Sequence, residues 1–403
     1  MEEKIDSRYG WLVITLGGFT SIISVGIPFI CMPVLFNKIS EELGLSLVQI
    51  GAAWGMGGLA SMFMSPFGGM IGDRFGTKRT LIVSCMLSGI ANAGRGLSRN
   101  FSGLALTMFL FSLVSNPVAL NLHKTSGVWF SGKRVIMANG VIATGIAMGM
   151  LLGAMFSDSV MAPLLGGWRN VLFLYGAASV CMGLLWCLTR REPVHYDENQ
   201  PLTSPPFRRS FSRVLHTRDV WLLGLAHFFF IGCVMGVIGY LPLYLRGIGW
   251  SPVTADGVLA ALNGAGMLAA IPIALISGRL GLRRLIIVSM LLIALVSLIL
   301  LPHFQGFMIW PLAILFGSVR DGYFAIFMTM VIESRGIGAT YAGTAMGIIF
   351  SLGNLGIFFA APTGNRLAVI DPQYAFFFWA ALLAISILIF RCVHETGKAS
   401  VET

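Results

Sequence analysis

Charge is scarce in this sequence. Only 11% of its 403 residues are Asp, Glu, Lys or Arg, while 56% are hydrophobic; ordinary soluble domains carry about a quarter charged residues. So few charges cannot cover a globular surface, which excludes a soluble domain and points to a chain that crosses a bilayer many times. Acidic residues are rarer still, 17 against 27 Lys and Arg, for a formal net charge of +10. The excess cations lie in short segments between apolar runs, with no zinc-finger spacing and no basic stripe interleaved with aromatics. They speak for membrane topology and against nucleic acid. The six cysteines form no C-x-x-C pair and nearly all lie in apolar runs, so they read as small buried side chains rather than disulfides or metal ligands. No phosphate-binding loop, nucleophile constellation or metal cluster is present, and neither an enzyme nor a cofactor is expected. The opening MEEKIDSRYGW is acidic and lacks a cleavage site of small residues; the first apolar run is expected to stay as an anchor.

Long apolar sequence is what the chain has in abundance. Runs of roughly 18–25 residues predict spanning helices at Trp11–Phe36, Val48–Ile71, Leu81–Leu97, Leu104–Leu122, Val135–Phe156 and Trp168–Leu188. A second set follows at Val220–Leu245, Val253–Ser277, Leu285–Leu301, Phe307–Ile332, Tyr341–Ala361 and Tyr374–Phe390. The expected architecture is all-α: a bundle of six spans over 1–189, a central loop rich in Pro, Ser and charge over 190–218, and a second six-span bundle over 219–403. Arg74, Lys78, Arg79, Lys133, Arg134 and the arginines of the central loop fall on one side. The other side holds only Lys38, Arg95, Arg99, Arg169, Arg246 and Arg366. The richer side is the cytoplasmic one, so both termini and the central loop are expected on the cytoplasmic side of a cell membrane, in a protein read as a monomer.

Between the second and third spans stands GGMIGDRFGTKRTL, Gly68–Leu81, expected as a tight cytoplasmic turn. Gly69 and Gly72 suit close helix approach and Gly76 a sharp turn. Asp73 suits a helix N-terminus, and Arg74, Lys78 and Arg79 suit carboxylates or helix C-termini. An ordinary basic loop explains the cations but not the ordered glycines and the Asp. Part of the pattern returns 205 residues later in ALISGRLGLRRLI, where Arg279, Gly281, Arg283 and Arg284 correspond to Arg74, Gly76, Lys78 and Arg79, and Gly278 replaces Asp73. The same offset relates FSLVSNPVAL from Phe111 to FGSVRDGYFA from Phe316.

GMIGDRFGTKR resembles the loop 2–3 signature of the major facilitator superfamily, matched by Gly69, Asp73, Arg74, Gly76 and Lys78, and the resemblance covers essentially the whole chain. It implies two parallel six-helix halves, a substrate site between them near the midplane, and transport by alternating access. It also implies that Asp73 caps the eleventh helix near Thr340–Ala342 as a conformational latch. The opening RYGWLVITLGGF resembles the first helix of the branch that handles oxalate, formate and monocarboxylates. Members of that branch place a substrate-binding Arg in helix 8, where this chain has no mid-helix cation. Drug antiporters carry a Gly-Pro pair in helix 5, where this chain has Gly149-Met150 and Gly153-Ala154, which weighs against drug efflux. Gly145, Gly149 and Gly153 are spaced by four, as in a close-packing seam.

Arg320 and Asp321 fall mid-span, where charge is costly and functional. Neighbouring helical residues point about 100° apart, so no direct contact between them is expected. Arg320 is either a cavity-lining anion ligand or a structural bridge. Asp321 is a candidate proton site. Ser115 and Asn116 occupy the corresponding place in the first half and suit hydrogen bonds to a ligand or between helices. His227 is a second candidate for proton exchange, with packing as the alternative. Tyr240 and Tyr244 either line the pathway or belong to an interfacial aromatic belt. The leading expectation is a proton-coupled transporter of a small organic anion, and the alternative an exporter of amphipathic compounds through a pocket rich in Phe and Met.

Overall fold

Long apolar runs punctuated by single glycines and prolines become long helices. The computed structural model describes residues 7–130, 133–190, 207–334 and 337–396, with the side chains of residues 7, 69, 73, 133, 207–210 and 338–340 outside that description. α1 (Ser7–Thr20) continues through a π-helical turn, Ser21–Gly26, into α2 (Ile27–Leu43). Then come α3 (Leu47–Phe75), α4 (Thr77–Gly96), α5 (Phe101–Trp129), α6 (Lys133–Phe156), the short α7 (Ala162–Leu165) and α8 (Trp168–Leu188). The second series is α9 (Phe207–Leu215), α10 (Arg218–Gly247), α11 (Pro252–Leu280), α12 (Arg283–Leu300), α13 (Ile309–Glu333), α14 (Gly338–Ala368) and α15 (Pro372–Cys392).

Eleven helical stretches among the described residues are long and apolar enough to cross a membrane, with α1–α2 counted as one. α4 is the twelfth span expected from the sequence. It is the most polar of them because Lys78 and Arg79 open it and Asn92 and Arg95 lie near its end. The outer surface suits lipid rather than water: Leu188 and Phe307 are each 81% exposed and Ile136 is 74% exposed. Helix starts follow local chemistry. Asn100, Ser251 and Asp371 each accept a backbone N–H two or three residues on, from Gly103, Thr254 and Gln373, and Pro252 and Pro372 occupy first-turn positions where no N–H is needed.

The chain forms two compact units, one of Met1–Leu45 with Phe63–Gln200 and the other of Ser46–Met62 with Pro201–Thr403. In the first, the glycine seam of α6 packs as its spacing suggests. A Cβ on Gly145 would stand 2.6 Å from the Gly18 carbonyl oxygen, and one on Gly149 2.7 Å from that of Ile22. In the second, α3 residues Gly55 and Gly58 abut the Phe358 and Asn354 carbonyls of α14, and Trp54 Nε1 donates to Met235 O at 3.0 Å. α11 and α13 close on each other where Gly317 meets the backbone of Leu262.

Two expectations change. The tight turn expected over Gly68–Leu81 narrows to a single residue. α3 runs to Phe75 and α4 begins at Thr77, leaving Gly76 alone between them with φ 85°. Long cationic side chains can reach out from a helix that projects past the hydrocarbon, so charge need not end the helix. The central loop, in turn, contains α9.

Candidate functional site

α13 brings the two intramembrane charges together. Arg320 Nε donates to Asp321 Oδ1 and Nη2 to Oδ2, both at 2.7 Å, and Nη1 donates to Asn263 Oδ1 of α11 at 2.8 Å. The expectation that these neighbours do not touch is corrected. Their Cβ directions diverge, but the Arg side chain is long enough to curl back and present its flat fork to the short carboxylate, the strong two-pronged geometry. Asn263 is fully buried and is itself oriented by donating from Nδ2 to Leu259 O at 2.8 Å. Gly266 makes room on α11, since a Cβ there would collide with Asp321 Oδ2. The Arg320 side chain is 8% exposed and that of Asp321 28%. The guanidinium is therefore sealed and aimed, while its carboxylate partner is the more accessible of the two. Chemically, the guanidinium presents two parallel N–H donors of the kind that suit a planar oxyanion, and here the Asp321 carboxylate takes them.

One turn along α13, Tyr323 is fully buried and stacks on Phe230 at 3.7 Å and on Phe327 at 5.1 Å between ring centroids. His227 of α10 lies against the same rings, 4.9 Å from Phe327 and 6.3 Å from Tyr323. Neither His227 Nδ1 nor the Tyr323 hydroxyl has a hydrogen-bond partner among the described residues. Aromatic packing thus encloses His227, which is buried, whereas the Asp321 carboxylate is partly exposed. Tyr240 and Tyr244 are buried against α15, with Tyr244 4.8 Å from Phe376 and Tyr240 5.7 Å from Trp379. The structure brings neither of them to Arg320.

In the first unit, Ser115 and Asn116 are half-buried on α5. Asn116 Oδ1 is buried with no hydrogen-bond partner among the described residues. Next to it, Asn121 Nδ2 bridges to Gly68 O at 3.1 Å and Pro117 O at 2.8 Å, and Gly72 leaves space that a Cβ would take from the Asn121 side chain. The glycines of the signature therefore seat α3 on α5. Gly69 is helical; the side chain of Asp73 lies outside the described residues, as do those of 338–340 at the start of α14. Arg74 is exposed, its guanidinium 5.5 Å from the centre of the Phe75 ring. Lys78 Nζ donates to Cys187 O at 3.3 Å and to Thr189 O, closing the C-terminal end of α8. In the second copy Gly281 is the left-handed cap of α11 and Arg279 is exposed. Arg283 grips Glu333 at 2.6 and 2.7 Å, and Arg284 Nη1 donates to Val393 O at 3.1 Å, just past α15.

Sequence reasoning missed three polar clusters. Arg95, counted from the sequence among the few cations of the outer side, is 1% exposed inside the first unit. It donates to Pro28 O at 2.8 Å and to Asn92 Oδ1, and lies 3.8 Å from the centre of the Phe111 ring. Asp158, in a π-helical turn after α6, is buried and 2.8 Å from Lys38 Nζ. Asp256 is buried against Arg246. Each lies near the end of an apolar run, where a charge looks like loop. Where α8 begins, Glu42 accepts from Trp168 Nε1 at 2.6 Å and Arg169 Nε at 2.9 Å.

Comparison with known proteins follows the same lines. Residues 14–361 match the family model described as Major Facilitator Superfamily. The 3-(3-hydroxy-phenyl)propionate transporter of Escherichia coli (strain K12) is 27% identical over 62% of this chain, and the match spans 62% of that relative's length. The probable nitrate/nitrite antiporter NarK1 of Thermus thermophilus is 25% identical over 96% of this chain and 92% of its own. Among solved structures, the bacterial homologue of the human lysosomal transporter Spinster, inward-facing and unoccupied, superposes with a TM-score of 0.77 at 18% identity, covering 98% of both chains. The nucleoside transporter NupG gives a TM-score of 0.77 at 14% identity, covering 95% of this chain and 99% of its own. With eleven helical stretches among its described residues long and apolar enough to cross a membrane, and a family match over residues 14–361, this chain is a multi-pass membrane protein of the major facilitator superfamily.

Proposed function

We propose that the chain is a secondary transporter that carries a small organic anion across the cell membrane by alternating access, coupled to protons, with both termini on the cytoplasmic side. The observation that carries this reading is the Arg320 fork, sealed in an apolar helix and already holding a carboxylate through two 2.7 Å bonds. A guanidinium so placed binds planar oxyanions in two-pronged fashion, and an intramembrane charge of this kind marks a substrate or ion path. The names of the relatives lean the same way, towards substituted propionate and nitrate or nitrite.

Substrate carboxylate and Asp321 compete for the same fork. When the anion takes Arg320, the displaced Asp321 carboxylate, the more exposed partner, accepts a proton. Asn263 keeps the guanidinium aimed throughout. The two unpartnered polar atoms beside the Tyr323 ring stack, His227 Nδ1 and the Tyr323 hydroxyl, lie one turn further along, and Ser115 and Asn116 offer hydrogen bonds in the first unit.

The test is uptake into proteoliposomes with a panel of labelled monocarboxylates, dicarboxylates and nitrate, with and without an inward proton gradient. Saturable uptake of one acid, stimulated by the gradient, is expected. Uptake of neutral amphipathic compounds with no response to any anion would favour the exporter instead.

A further inference from the structure

The segment between the two helical series was read from the sequence as a charged loop, yet it holds α9, FRRSFSRVL, directly before a membrane-spanning helix. At about 100° per residue, Phe207, Phe211, Val214 and Leu215 fall within one arc of roughly 100°, and Arg208, Arg209 and Arg213 fall outside it. From Phe207 to Arg218 there are four arginines and no acidic residue. Arg213, His216 and Arg218 are exposed, and neither Arg213 nor Arg218 forms an ion pair among the described residues. Asp219, the next acid along the chain, faces His394 at 3.4 Å instead.

The apolar side is only partly covered. Val214 is buried, but Phe211 remains 40% and the neighbouring Trp221 41% exposed. Trp221 Nε1 donates to Leu215 O at 2.8 Å, pinning the end of α9 to the first turn of α10. An open indole at the start of a spanning helix belongs at the headgroup level of a bilayer. A short basic amphipathic helix fixed beside it lies in the plane of that interface. Arg213 also stands 5.4 Å from the centre of the Tyr341 ring, so α9 touches the first turn of α14 as well.

We propose that α9 is a binding site for the phosphate headgroups of anionic lipids, on the membrane face where α10 begins. Phe211 and Trp221 enter the interfacial layer, and the arginines of Phe207–Arg218 meet the phosphates, as clusters of basic residues next to a span do. The contacts to Trp221 and Tyr341 make lipid binding stabilise the starts of α10 and α14. This site is separate from Arg320 and does not depend on the transported substrate.

The test uses the purified full-length chain in neutral detergent, with its melting temperature followed as phosphatidylglycerol or phosphatidylcholine is added. Phosphatidylglycerol is expected to raise the midpoint by several degrees more than phosphatidylcholine, and the difference should shrink as salt rises from about 50 to 500 mM. Inorganic phosphate at millimolar concentration should not reproduce it. The quadruple variant Arg208→Gln, Arg209→Gln, Arg213→Gln and Arg218→Gln should lose the preference for phosphatidylglycerol, whereas Arg99→Gln, an exposed cation elsewhere, should keep it. Should the quadruple variant not fold, the salt series on the unaltered chain decides: a preference that ignores salt overturns the proposal. So does a quadruple variant with an undiminished preference, or an equal effect from free phosphate.

Discussion

Arg320 and Asp321 are adjacent on α13 and yet joined by two hydrogen bonds of 2.7 Å. In the proposed reading, this internal carboxylate occupies the place that a substrate carboxylate takes. Arg320→Lys keeps the charge but loses the fork. Charge-assisted hydrogen bonds contribute about 1.5–3 kcal/mol each, so the Michaelis constant for anion uptake should rise roughly ten- to a hundredfold. Asp321→Asn should leave substrate exchange intact and abolish accumulation driven by a pH gradient. Counterflow and gradient-driven uptake, measured on the same vesicles, separate the two effects. Gradient-driven accumulation by Asp321→Asn at the normal rate would remove Asp321 from proton coupling.

Asn263 should behave as a positioning residue. Asn263→Leu preserves the volume but takes away the oxygen that receives Arg320 Nη1, leaving a buried donor unmet at a cost of about 1–3 kcal/mol. The Michaelis constant should rise about tenfold with the maximal rate little changed, and Asn263→Gln should restore part of the affinity. Asn263→Asp should also impair uptake, because a second carboxylate would compete for the guanidinium. Loss of stability alone, with normal uptake kinetics in the folded fraction, would make Asn263 purely structural.

Periodicity and length made the spans legible in the sequence, and the 205-residue offset made the repeat legible. Gly76 and Gly281, that distance apart, both have positive φ. Lys78 and Arg284, from matching motifs, each bind the last carbonyls of the final helix of their series, at Cys187 and Val393. The candidate site was only half legible. Arg320 and Asp321 stood out as charges in an apolar run, but their contact depends on the bend of a long side chain, which residue spacing does not encode. Asn263 was invisible because a lone Asn in a helix has many uses, and its meaning comes from the α11–α13 contact that Gly266 and Gly317 permit. The burial of Arg95 was not legible because it lies one residue from the end of α4, where a buried cation and an exposed one look alike in sequence.

The seam of α6 predicts opposite outcomes for the same substitution within one helix. Gly149→Ala puts a methyl group 2.7 Å from Ile22 O and 2.9 Å from Ile22 Cα, both backbone atoms that cannot swing aside. Overpacking of this kind costs about 1–3 kcal/mol. Gly140 has nothing within 4 Å of the same position, so Gly140→Ala should be neutral or stabilise by up to about 1 kcal/mol through reduced backbone freedom. Thermal melting of the two purified variants checks this. Equal midpoints would mean that α6 does not bear on α1 and the turn that follows it as closely as the structure has it.

The two turn glycines predict a finer distinction. Gly281 has φ 66° and ψ 13°, the left-handed helical region, whereas Gly76 has φ 85° and ψ 149°. Asn tolerates the first conformation better than Ala does, because its short polar side chain bonds locally to the backbone. The second lies towards a region that is essentially reserved for glycine and costs other residues on the order of 1–3 kcal/mol. At position 281, therefore, Gly281→Asn should melt higher than Gly281→Ala. At position 76, Gly76→Asn and Gly76→Ala should be destabilised alike. Comparing Asn with Ala at each site cancels most of the effect of local space, since both introduce a Cβ at the same place. The same Asn advantage at both positions would show that Gly76 is kept for room and not for its backbone conformation.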